Sequence, residues 1–119
     1  MTAQLAISFA APQSERDMIC EVVACKPDMF RSDFYLWLQE NFEIWKAFEA
    51  EANRIWQRGR AHYSARTIAE YLRHETAIRE AGGEFKLNNN VVPDLARLYS
   101  LMWPERRGLF EFREHKAAA

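Results

Sequence analysis

The chain has 119 residues, enough for one domain with its own core, and 49% hydrophobic with 13% aromatic side chains, four Trp and eight Phe among them, excludes a mostly disordered protein. A formal net charge of −1 argues against a generic polyanion binder, yet the charge is uneven: four Lys/Arg oppose nine Asp/Glu up to Asn53, net −5, and twelve oppose eight from Arg54 onward, net +4. A local basic face can steer toward phosphates provided the acidic half points away.

Residues 1–13 are weakly patterned and read as a flexible N-terminal arm; their apolar-leaning stretch, residues 5–12, is far short of a membrane span. The start also lacks the basic flank and long apolar core of a signal peptide, so a soluble, cytoplasmic protein is expected. Ser14 then suits an N-cap, with Glu15 and Asp17 in the first turn and Met18, Ile19, Val22 and Val23 as the buried stripe, until Pro27-Asp28 ends the helix. Cys20 and Cys25 are the only cysteines, with no second pair or nearby histidine for zinc. They read as small reduced hydrophobes on different helix faces, not as a disulfide.

Residues 32–58 repeat Phe34, Trp37, Leu38, Phe42, Trp45, Phe48, Ala52, Ile55 and Trp56 at spacings of three and four, with Gly59 as the stop. One long helix fits, and so do two helices meeting at Gln39 to Asn41, with Asn41 capping the second. Ser64 caps the next predicted helix, whose apolar side is Ile68, Tyr71, Leu72 and Ile78 and whose stop is Gly82-Gly83. Its other side carries Arg66, Glu70, Arg73 and His74. Residues 84–88 alternate, with Phe85 and Leu87 on one face, as a short strand would. Asn89 or Asn90 is expected to cap the last helix, where Pro93 fits the first turn and Leu95, Leu98, Tyr99 and Met102 face inward until Pro104. Residues 109–113 alternate again, with Phe110 and Phe112 on one side, and residues 114–119 read as a flexible tail.

The expected fold class is mainly α with a small β component, a single compact helical domain over residues 14–113. A winged helix-turn-helix is compatible with this order. The fit is imperfect, because residues 82–88 replace the usual tight turn and only one strand follows the last helix.

Several of these residues form a recognisable order. Glu40-Asn41, Trp45 and Phe48, Arg58-Gly59, then His62-Tyr63-Ser64-Ala65 opening a helix that holds Leu72-Arg73 are followed by Phe85-Lys86-Leu87-Asn88-Asn89-Asn90, Ala96-Arg97-Leu98, and Phe110 with Arg113. Over about residues 32–113 this resembles a family of short, mostly uncharacterised phage and prophage proteins. The resemblance implies a mobile-element origin and a role in phage regulation or counter-defence.

Arginine and asparagine side chains can contact phosphates or base edges, which makes nucleic-acid binding the leading expectation. Arg66, Arg73, Lys86 and Arg113 are the candidates for positioning the backbone of duplex DNA, and Asn89, Asn90 and Arg97 for reading bases. Arg58, Arg60 and Arg79 belong to the same basic set. The competing reading is a solvated surface: Glu70 with Arg66 or Arg73, Glu75 with Arg79, and Asp94 with Arg97 lie within helical reach, and turn chemistry accounts for most of the asparagines.

Glu70 and His74, with His62, lack a third ligand at motif spacing, so no metal is expected. No nucleophile elbow or phosphate-cradling glycine loop is present; neither an enzyme nor a cofactor is expected. Glu40, Glu43, Glu49 and Glu51 read as a solvated face. Tyr35, Phe42 and Ile44 add bulk at so many phases that an exposed remainder would form a dimer or partner interface. The alternative function follows: a counter-defence or host-takeover inhibitor that binds a host protein through Trp37, Trp45, Glu43, Glu49 and Glu51.

Overall fold

Ser14 starts the first helix as its sequence requires. In a computed structural model, which describes residues 14–74 and 87–110, its hydroxyl accepts from the Asp17 amide at 3.1 Å and opens α1 (Glu15–Ala24). Ile19, Cys20 and Val23 form the buried stripe, while Met18 is 53% exposed and Val22 only partly covered. The stripe is thus rotated from the expected one, because α1 packs on the next helix along its Cys20 side.

The aromatic stretch is two helices, α2 (Phe34–Glu40) and α3 (Phe42–Gln57). Asn41 breaks them with a non-helical backbone (φ −129°, ψ 38°). Its side chain works backward: Nδ2 and the backbone N–H both donate to the Trp37 carbonyl, closing α2, and no side-chain cap forms on α3. α3 ends through Arg58 at Gly59, whose φ of 89° is accessible to glycine without a Cβ clash. Ser64 then accepts from the Thr67 amide at 3.2 Å and opens α4 (Ala65–Arg73). His74 is its C-cap, well before the glycine pair expected to stop it; Ile78, Gly82 and Gly83 lie outside the described residues.

The asparagines do not cap α5 (Val92–Met102). Asn88 instead folds a local turn, with Oδ1 accepting from the Asn90 amide at 2.8 Å and its carbonyl accepting from Val91, so Val91 becomes the N-cap without a side-chain bond. Pro93 lies in the first turn as expected. Trp103 ends the helix and a 3-10 turn, Pro104–Arg106, follows.

The described ends of the two expected strands, residues 87–88 and 109–110, are not part of a strand. Leu87 is fully buried and Asn88 is in the turn; residues 84–86 and 111–113 lie outside the described residues. Leu87 and Phe110 are single side chains plugging the core, and Phe110 packs at 5.6 Å from both Phe48 and Tyr99. An isolated parallel bridge, Tyr63 to Phe110, is the β pairing found there. The fold is mainly helical, and a winged arrangement has no strand pair among the described residues to support it.

α1 packs on α2, α2 on α3, and α3 and α5 both on α4, with α3 also against α5. Phe34, Leu38, Trp45, Phe48, Ile68, Leu95, Leu98 and Tyr99 are almost wholly removed from water. Each large side chain of this kind contributes about 1.5–3 kcal/mol through burial, which is why the aromatic repeat sits inside. No helix of the described residues is long and apolar enough to cross a membrane.

Candidate nucleic-acid interface

Arg73, expected on the outer face of α4, turns inward. Its Nε donates to the Leu87 carbonyl at 3.0 Å, one terminal nitrogen to Glu70 at 2.8 Å and the other to Asn89 Oδ1 at 2.8 Å. Two candidates for DNA contact, Arg73 and Asn89, are therefore brought together but bound to each other. The guanidinium fork makes one staple of α4 and the segment entering α5.

Arg97 is likewise engaged, donating at 2.9 Å to Asp94, whose side chain is fully buried. Asp94 also accepts from the Arg31 amide at 3.2 Å, joining the linker before α2 to the first turn of α5. Burial pushes its carboxyl above the usual range, and the Arg31 amide and Arg97 offset this only in part. Asn90 is exposed, as is Arg66 in the first turn of α4. Lys86 and Arg113 lie outside the described residues. Among the described candidates, Asn90 and Arg66 are thus the ones left exposed without such an engagement, because the Leu87 carbonyl and the Asp94 carboxylate claim Arg73 and Arg97, and Arg73 in turn claims Asn89.

The partner-binding candidates also divide. Trp45 is fully buried, against Phe48, and Trp37 is half-buried and stacked on Phe34. Glu49 is 9% exposed, accepting from Trp103 Nε1 at 3.0 Å and Lys46 at 2.9 Å, while Lys46 also reaches Glu15. Although burial works against it, the hydrogen bonds Lys46 donates to both glutamates raise its pKa. Glu51 is largely covered and paired with Arg54 at 3.0 Å; Glu43 stays exposed. Trp45 and Glu49 consequently hold the fold, since α3 is central to it, and Glu51 pairs only within its own helix among the described residues. Exposed large apolar side chains lie elsewhere: Met18, Met29, Tyr35, Leu36 and Tyr71.

A different basic surface is built by long-range contacts. The loop after α3 is tied to the loop after the 3-10 turn: Tyr63 N–H donates to Leu109 O at 2.8 Å, and His62 Nδ1 lies 3.2 Å from Gly108 O. This ties the segment that follows Arg58 and Arg60 to the one that follows Arg107, a corner at which all three are exposed, with Arg66 three residues beyond Tyr63. Arg60 sits over the Tyr63 ring at 5.3 Å, and Arg107 bonds the Pro104 carbonyl at 3.3 Å. Arg58 and Arg66 form no ion pair among the described residues.

Arg106 anchors the corner from beneath. Its guanidinium lies 4.2 Å over Trp103 and 5.4 Å from the Trp56 ring, and donates to Asn53 at 2.9 Å and Tyr99 at 3.0 Å. The Tyr99 hydroxyl in turn donates to Asn53 at 2.7 Å. Burial raises the Tyr99 pKa despite the nearby Arg106, so the phenol stays protonated and able to donate. Sequence reasoning named Arg58 and Arg60 but not Arg106 and Arg107. The adjacent Arg-Arg-Gly after Pro104 was the available signal.

Among the described residues no group of three or more His, Cys, Asp or Glu is placed to hold a metal ion. The corner offers cations and a partly exposed tyrosine, a chemistry suited to phosphate oxygens. No protein-family model, curated protein or solved structure matches the chain.

Proposed function

We propose that this protein binds nucleic acid without catalysis, holding the phosphate backbone of duplex DNA at the arginine corner. The observation that carries the reading is the tie between residues 58–63 and 106–110, which assembles Arg58, Arg60 and Arg107 from distant parts of the chain. Arg66 extends the same surface along α4. Since Asn89 and Arg97 are held internally, the protein grips mainly the backbone and sequence preference is weak. Together with the resemblance to phage and prophage proteins, this describes a regulatory protein of a mobile element.

Replacing Arg58, Arg60 and Arg107 by Ala tests it. Affinity for duplex DNA should fall across all sequences, and the salt dependence should lessen by roughly one unit of slope for each phosphate the variant no longer neutralises. Unchanged affinity in a folded triple variant rejects the corner as the binding surface.

A second reading, a protein-binding inhibitor, is favoured by one observation. Met18, Tyr35 and Leu36 leave large apolar surface in water on α1 and α2, within the acidic half of the chain.

A further inference from the structure

A groove of about 250 Å³ opens between α1 and α2, lined by Asp17, Cys20, Glu21, Ala24, Tyr35 and Gln39. The α1 members recur at spacings of three and four and form one stripe two turns long. Cys20, buried, and Ala24 at its C-terminal end are the small side chains of the stripe, while Asp17 and Glu21 are exposed carboxylate-bearing residues along it. On the α2 side Tyr35 is exposed, and its hydroxyl accepts from Gln39 Nε2 at 3.2 Å. Met18 and Leu36, 53% and 56% exposed, each adjoin a lining residue in sequence and carry the apolar surface beyond the groove.

We propose that this groove docks a basic amphipathic helical segment of a partner protein. The proposal rests on the protein-binding reading and is independent of DNA binding at the arginine corner. Charge complementarity selects the occupant: residues up to Asn53 carry a net −5, and two of their four cations, Arg31 and Lys46, are already paired with Asp33 and with Glu15 and Glu49. From Asp17 to Ala24 the groove runs for two helical turns, about 11 Å, matching apolar anchors spaced three, four and seven apart on a docked helix. Lysines or arginines flanking those anchors meet Asp17 and Glu21. A second copy docked face to face would instead bring these carboxylates against themselves. The sixteen residues of α3 span about 24 Å between the end joined to α2 and the end at Arg58, so groove and corner are separate surfaces.

The test uses a fluorescent leucine–lysine peptide with helical amphipathic spacing, its leucine–glutamate counterpart, and the full chain. Anisotropy should show saturable binding of the basic peptide only. The double variant Asp17→Asn, Glu21→Gln should weaken it at least about tenfold, whereas Glu70→Gln, Glu105→Gln, equal in net charge, should not. Tyr35→Ser, at the lining residue on the other helix, should weaken binding by removing aromatic surface from the groove's far side, so a weakened α1 cannot explain both results. Each variant's circular dichroism is checked beside its DNA affinity, which the groove changes should leave intact. Equal binding of both peptides, or equal losses in the groove and control variants, overturns the proposal. Self-association of the protein that the groove variants abolish overturns it too, because the occupant is then a second copy.

Discussion

Arg73 joins segments fourteen residues apart in sequence, since one planar guanidinium satisfies the Leu87 carbonyl, Glu70 and Asn89 together. Arg73→Ala should therefore lower unfolding free energy by about 1–3 kcal/mol in urea titrations, and Arg73→Lys should recover little, because an ammonium cannot span the three acceptors. Wild-type stability in Arg73→Ala would return this residue to the surface role its sequence suggested. Asp94 supplies a pH-dependent counterpart. Its folded pKa is raised by burial, so the folded state holds the proton more tightly than the unfolded chain does. The stabilisation this group gives is complete below its unfolded value near 3.8 and is lost as pH rises through the higher folded value. Asp94→Asn should flatten that part of the stability-versus-pH curve; an unchanged slope would place the titration elsewhere. Asp94→Ala, by contrast, leaves the Arg31 amide and Arg97 without their acceptor and should cost about 1–3 kcal/mol at neutral pH.

Helix ends show which parts of this fold are local and which are not. Ser14, Gly59 and Ser64 act where their sequence contexts predict, because a cap or a positive φ is decided within a few residues. Gly59→Ala should accordingly cost about 1 kcal/mol, read from thermal unfolding, although the site has open space for a methyl group. Asn41 was legible as a break but not in its direction, since capping backward to Trp37 depends on how α2 meets α3. The strand expectations reach the described residues only at Leu87, Asn88, Leu109 and Phe110. Leu87 and Phe110 have the spacing of strands, but their burial is decided by α4, α3 and α5, which short-range patterning does not contain. Trp45 marks the opposite case: its helical phase predicts core as well as interface, and only the packing of α2, α4 and α5 around α3 separates the two. Trp45→Ala should cost about 3–5 kcal/mol by denaturant titration, as removal of a fully enclosed aromatic does; a loss near zero would mean the side chain is not enclosed.

Across the whole molecule, charge asymmetry in the sequence becomes separation in space. The acidic half builds the α1–α2 groove, and the basic half builds the corner beyond the far end of α3. That corner was only half legible, because Arg107 joins Arg58 and Arg60 through hydrogen bonds spanning forty-six residues, Tyr63 to Leu109 and His62 to Gly108. Binding there should be electrostatic and weakly selective, with the acidic half turned from the duplex by repulsion. The most direct test is the affinity of the intact protein for random-sequence duplex DNA, titrated at low and near-physiological salt. Micromolar or tighter binding at low salt that weakens steeply as salt rises is the expected result, and no binding at low salt would contradict it.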